Sequence, residues 1–453
     1  MLIFPIIYVL SFLWALKELW EGRKQGVLFF IIFGLSIYTI SLSVTHLFGM
    51  GFLISYLQPF KEIIILATLG LNFVEMKNKI KFHFIDYLLI FYFVGSLIYA
   101  LLPIGDFGLG ERLIALKSTT FFTLIYAAGR TFNLEKIQIS KFYKFILVIT
   151  IAAVVLVLYE FLTQEHFQTK TGYADFNFYF FDQAVTGNYG LTWTFETETG
   201  LKRFASFFAN PLEYAGATLI SLSCVAGLYT NDRNKLKIDS LGWFALLASI
   251  ISIILALSRA SFVSYFLMVY CYALITKNRL IVQLFHILFI LVAICFCFLL
   301  TNEDVYDFVM ETITFKNASS LGHIIEWLTG LLSMLQNPFG LGLGSSGRLT
   351  AASGLNVGGE NQFIIIGVQL GVLFFLVYII LQISLIYYPA KWFKKLKGKE
   401  KKIALTLFLL KVGSIIPLLT SEFESYIYVS YICWFITGVF VDVISKREIF
   451  HEN

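Results

Sequence analysis

An all-α polytopic membrane protein of about thirteen spans is predicted by three features of the 453-residue chain. It is 58% hydrophobic and only 14% charged, with a mean hydropathy of +0.79, which describes a polypeptide whose solvent is mostly lipid. Its apolar residues gather into segments near the 20 residues needed to cross a bilayer. Its basic residues concentrate in alternate loops. A single integral membrane domain over 1–453 follows.

The expected spans are 2–16, 26–44, 52–73, 84–102, 112–129, 143–161, 212–230, 240–257, 260–276, 280–300, 361–388, 402–420 and 426–445. Residues 1–16 lack the basic leader and small-residue cleavage site of a signal peptide, so they read as a retained span. The cleanest is IVQLFHILFILVAICFCFLL at 281–300. Loops at 17–25, 74–83, 130–144, 231–239, 277–279, 389–402 and 446–453 hold 24 of the 34 Lys and Arg. That bias places them in the cytoplasm, the N-terminus outside and the C-terminus inside.

Two outer segments exceed connecting turns, 162–211 and 301–360. The first is rich in aromatic residues, which argues against disorder. The second contains LGHIIEWLTGLLSML, whose apolar spacing predicts an amphipathic helix over about 319–336. Asn337-Pro338 and the following glycines end it.

The net charge of +5 comes from the orienting loops rather than from a nucleic-acid surface. Cys224, Cys271, Cys295, Cys297 and Cys433 all lie in apolar spans without metal-ligand spacing, so they read as inert side chains. Walker A, HExxH and GxSxG patterns are absent. No metal or cofactor is expected.

The polar residues of the apolar background are the site candidates, because an ionisable group at membrane depth is costly unless paired or hydrated. Arg259 sits in the short break of LALSRASF, where a guanidinium is expected to be shielded and to grip phosphate or carboxylate bidentately. Snorkelling to the interface is the competing reading. Arg203 precedes Asn210-Pro211, a helix start whose free N–H groups suit an anion, although a plain Asn-Pro start looks the same. Glu360 and Asn361 open the eleventh span after a glycine-rich turn that ends in Arg348, with Glu360 either a helix cap or a functional carboxylate. His323, Glu422, Glu424, Lys61 and Lys411 complete the set. Lys61 and Glu62 are adjacent in sequence, which suggests separate partners.

The order of these motifs resembles the O-antigen polymerase and O-antigen ligase superfamily of bacterial membrane glycosyltransferases. The matching elements are R-x-x-S-x-x-x-N-P at 203–211, L-S-R-A at 257–260, a Trp followed by N-P-x-G-x-G-x-G within 324–344, and x-N-x-F…G-V-x-L-G-V at 360–372. The resemblance implies transfer of a growing glycan from an undecaprenyl-diphosphate donor to a sugar hydroxyl of a second lipid-linked repeat, outside the bacterial inner membrane. Glu360, Arg259 and His323 would be catalytic. Arg203, Asn210, Arg348, Asn361, Glu422, Glu424, Lys61 and Lys411 would bind diphosphate or glycan. Membrane lipid and a chain-length regulator are the implied partners, and surface polysaccharide such as O-antigen or capsule is the implied product. Two positions depart from the family pattern. His323 stands where an Arg is usual four residues before the Trp, and Glu360 stands where ligases carry His, which favours polymerase over ligase. Alternatives are a ligase that transfers glycan to lipid A core or protein, and a lipid-linked oligosaccharide flippase or transporter, for which Lys61 and Lys411 would be the path charges.

Overall fold

The computed structural model describes residues 1–75, 80–132, 134–299, 306, 310, 318–347 and 357–452. Among them there is no strand, only the isolated bridges Glu196–Lys202 and Thr230–Leu236. The helices are α1 (Ile3–Trp20), α2 (Gly26–Leu47), α3 (Gly51–Val74), α4 (Phe84–Leu101), α5 (Leu109–Arg130), α6 (Ile139–Thr163), α7 (Tyr173–Phe181) and α8 (Pro211–Tyr229). They continue as α9 (Ser240–Leu255), α10 (Arg259–Thr276), α11 (Arg279–Leu299), α12 (Ala318–Gln336), α13 (Gln362–Leu370), α14 (Val372–Phe393), α15 (Gly398–Thr420) and α16 (Ile427–Glu452). Helix α12 falls where the apolar spacing of 319–336 puts it.

Eleven helices among the described residues are long and apolar enough to cross a membrane. The expected spans 112–129 and 240–257 are helical too, but α5 carries Glu111, Arg112, Lys117 and Arg130, and α9 has only 16 residues. The expected single span 361–388 is broken. Gly371, at φ +90°, separates α13 from α14. The break has a packing cause, because a Cβ on Gly340 would stand 2.6 Å from the Gly371 nitrogen and one on Gly371 would stand 2.4 Å from the Pro338 carbonyl oxygen. The amide of Val372 donates to that same carbonyl at 3.0 Å.

Helix α8 and the 427–447 part of α16 are almost wholly buried, and α2 and α15 are mostly so, which puts them at the centre of the bundle. Helices α5 and α16 touch backbone to backbone through glycine. A Cβ on Gly129 would lie 2.2 Å from the Phe435 carbonyl oxygen, and one on Gly438 would lie 2.1 Å from that of Tyr126. The α11 span is the opposite case, with none of its residues buried.

A buried ion network pins α4, α5 and α16 at one end of the bundle. The Arg130 guanidinium donates to Asp86 at 3.2 Å, to Asp442 at 2.8 Å and to Ser445 at 2.8 Å, all in buried surroundings. Charges so placed are tolerated because every partner is present. Lys61 and Glu62 do not take separate partners as expected. They form an ion pair of 3.1 Å, since the flexible lysine stem reaches round the helix, while Glu62 also takes Lys117 at 2.9 Å and Lys61 donates to Tyr38 at 2.8 Å.

Candidate functional site

The long segment before α8 is held by one carboxylate. Glu160, fully buried near the end of α6, accepts the amides of Phe167 and Ser206, each at 2.8 Å. The Ser206 hydroxyl donates to the Ala153 carbonyl at 2.8 Å, and the Gln168 amide donates to the carbonyls of Ser206 and Phe208. Ser206 itself adopts φ +55°, so the chain turns sharply between Arg203 and Pro211. The serine of R-x-x-S-x-x-x-N-P therefore sets the course of the chain that carries Arg203.

Arg203 is fixed through its backbone. Its amide donates to the Phe195 carbonyl at 2.8 Å, and the next amide, of Phe204, donates to the Leu255 carbonyl at the end of α9 at 3.2 Å. These bonds bring the 203 segment against the α9–α10 break. The guanidinium is half-buried, and its Nε is sealed from solvent without an acceptor among the described residues. Burial lowers its pKa from the ordinary value and the nearby Arg259 lowers it further, while Glu198 and Glu360 act in the opposite sense.

The expectation that Arg259 is shielded is overturned. It is the first residue of α10, capped by Ser258, whose hydroxyl accepts the Ser261 amide at 3.4 Å. A first-turn side chain projects back beyond the helix end, and this one is 75% exposed, with Nη2 3.7 Å from a Glu198 oxygen. Glu198 occupies the tip of a tight turn closed by the Thr197 amide on the Leu201 carbonyl and the Gly200 amide on the Thr197 carbonyl. Nothing in the sequence singled it out.

Asn361, and not Glu360, caps α13. Its side-chain oxygen accepts the amides of Phe363 at 3.0 Å and Ile364 at 3.3 Å. Glu360 is exposed and near enough to Arg203 to act on its charge. A second carboxylate adjoins it, because the Glu326 side chain from α12 packs against the Cα side of Gly359. Glu326 immediately precedes Trp327 in the amphipathic helix, and nothing in its sequence context distinguishes it.

Asn210 is a cap as well, accepting the amides of Leu212 and Glu213 at 3.0 and 2.9 Å. The Glu213 carboxylate accepts from Ala209 and from Tyr428, at 3.2 and 3.0 Å. The start of α8 therefore has its donors satisfied and carries a carboxylate, and its expected role in binding an anion falls away.

The glycine-rich turn is packed by protein backbone. The amides of Leu341 and Gly342 donate to the carbonyls of Val368 and Gln369, and the Gln369 side chain accepts from Gly344 and donates to Ser346. Beyond it, Gly347 faces Glu422, with 3.1 Å between a Cβ position and the carboxylate. Glu424 is committed to structure, accepting Tyr378 at 2.8 Å, Ser430 at 3.1 Å and Trp434 at 2.6 Å. Lys411 is buried, lies 4.0 Å over the Trp434 ring and reaches Gln382 at 3.5 Å. Such an acceptor and ring face are enough to hold a cation inside a bundle. Arg348 and the side chain of His323 lie outside the described residues.

Arg203, Arg259, Glu198, Glu360 and Asn361 thus share one end of the bundle, with Glu422 beside the neighbouring glycine turn. Asn210, Glu424, Lys61 and Lys411 are engaged in holding the helices. Two cations, one of them partly desolvated, stand with exposed carboxylates, which is an arrangement suited to binding a polyanion and accepting a proton beside it. No protein-family model matches the chain, and no curated protein matches it.

Proposed function

We propose that the chain polymerises polyprenyl-diphosphate-linked oligosaccharide repeat units by glycosyl transfer at the Arg203–Arg259 end of the bundle. The observation that carries the reading is the half-buried Arg203, with an Nε that has no acceptor among the described residues, beside Arg259 and Glu360. A desolvated guanidinium with a free donor suits a phosphate oxygen. Together with the exposed Arg259 it would stabilise a diphosphate as charge develops on it.

In this reaction the acceptor hydroxyl oxygen attacks the anomeric carbon of the donor glycan. The bond from that carbon to the diphosphate oxygen breaks and its electron pair leaves with polyprenyl diphosphate, between Arg203 and Arg259. The hydroxyl proton passes to the Glu360 carboxylate, which Asn361 leaves free of helix capping. A lipid-borne donor accounts for a site at the end of a membrane bundle. The motif order that resembles the O-antigen polymerases supports the same reading.

Purified chain in nanodiscs, supplied with polyprenyl-diphosphate-linked repeat units, should give a ladder of extended glycans and one polyprenyl diphosphate per added repeat. Absence of a ladder, with glycan moved instead to lipid A core, would turn the reading to a ligase. Movement of intact substrate across the bilayer without extension would turn it to a flippase.

A further inference from the structure

A groove of about 540 Å³ lies between α1, α2 and α6, apart from the site above. One face of α1, with Ile7, Leu10 and Trp14, forms a wall, and Phe29, Phe33 and Phe145 form the other. The last two rings meet edge to face at 5.2 Å, which gives that wall a fixed shape. Leu10 and Trp14 are more than half exposed, so the groove opens sideways to the surroundings of the bundle.

Its two ends differ. At the end by the basic loops stand Glu18, Gln25 and Lys141. Arg23 neutralises Glu18 through two bonds of 2.8 and 2.7 Å. The Lys141 ammonium is exposed, 5.6 Å over the Phe145 ring, and has no carboxylate at ion-pair distance among the described residues. From Glu18 to Ile7 is eleven residues of helix, about 16 Å at 1.5 Å per residue, against about 15 Å for the hydrocarbon depth of one leaflet. The groove is as long as one acyl chain, and its mouth bears an exposed ammonium that makes no ion pair among the described residues.

We propose that this groove holds one acyl chain of an anionic phospholipid, with the phosphate at Lys141 and Gln25. Aromatic walls and a leaflet-length slot fit the chain, and the ammonium at the mouth selects the headgroup. The site does not depend on the glycosyl-transfer reading.

Native mass spectrometry of the full purified chain, titrated with phosphatidylglycerol or with phosphatidylcholine of identical chains, tests it. The chain should retain one phosphatidylglycerol about fivefold more strongly than phosphatidylcholine, as expected for roughly 1 kcal/mol per membrane-facing cation. Lys141→Glu should abolish that preference, and Ile7→Trp, which fills the far end, should weaken retention of both lipids. Lys141→Gln is the companion variant if the charge reversal unfolds the chain, and it too should lose the preference. Equal retention of the two lipids, a preference that survives the Lys141 variants, or retention unchanged by Ile7→Trp would overturn the proposal.

Discussion

Asn361 takes the cap of α13 with its side-chain oxygen 3.0 Å from the Phe363 nitrogen, and its neighbour Glu360 is left exposed. One residue ends the helix and the next takes no part in capping it. Asn361→Ala should therefore lower stability by about 1 kcal/mol, the usual worth of an N-cap, while Glu360→Ala should leave the thermal unfolding midpoint in place. Differential scanning fluorimetry on the two purified variants checks the contrast.

Arg259→Lys keeps the charge and loses the fork. If both arginines grip a diphosphate, polymer yield should fall about 100-fold, the scale of losing one preorganised donor, with normal protein in the membrane. Full polymer from that variant would make Arg259 an interfacial anchor.

Glu198 supplies the countercharge of Arg259 across 3.7 Å in an exposed setting. Exposed pairs are worth about 1 kcal/mol or less, so Glu198→Gln should tighten binding of inorganic pyrophosphate by no more than about fivefold. Isothermal titration in nanodiscs reads this directly, and weaker binding would show that Glu198 assists the anion.

His166 lies just beyond α6, buried among Tyr189, Phe195 and Phe204. Burial, and then the charge of Lys202, depress its pKa from 6.5 to about 4. The unfolded chain therefore binds the proton more readily than the folded one. The His166 contribution to stability is fully present above about pH 6.5 and is lost as pH falls from there through about 4. His166→Phe should flatten that part of the stability profile, followed by tryptophan fluorescence.

The basic-loop bias predicts that Val185→Cys, in a cysteine-free background, reacts with an impermeant thiol reagent on intact spheroplasts. Arg233→Cys should react only after permeabilisation. The reverse pattern would place the arginine site in the cytoplasm.

The apolar runs were enough to place thirteen helical segments, because a span buries its whole backbone within itself and needs little from elsewhere. The breaks were not legible. Gly371 interrupts a continuous apolar run only because the Pro338–Gly340 backbone docks there, a contact between segments some thirty residues apart. The candidate site was legible in its arginines and in Asn361, which stand out against lipid-facing neighbours. Glu198 and Glu326 were missed since a loop carboxylate and an interfacial one look ordinary in sequence. Glu424 and Lys411 were read as ligand-binding for the same reason in reverse, as their partners Tyr378, Trp434 and Gln382 come from other helices.

The most direct test of the central claim is the rate at which Glu360→Gln extends lipid-linked repeat units, measured beside its affinity for the donor. Glutamine keeps the shape and removes the basicity, so the account predicts unchanged donor binding and extension at least about 100-fold slower, within the range of general base catalysis. Extension at the wild-type rate, with donor bound as before, would contradict it.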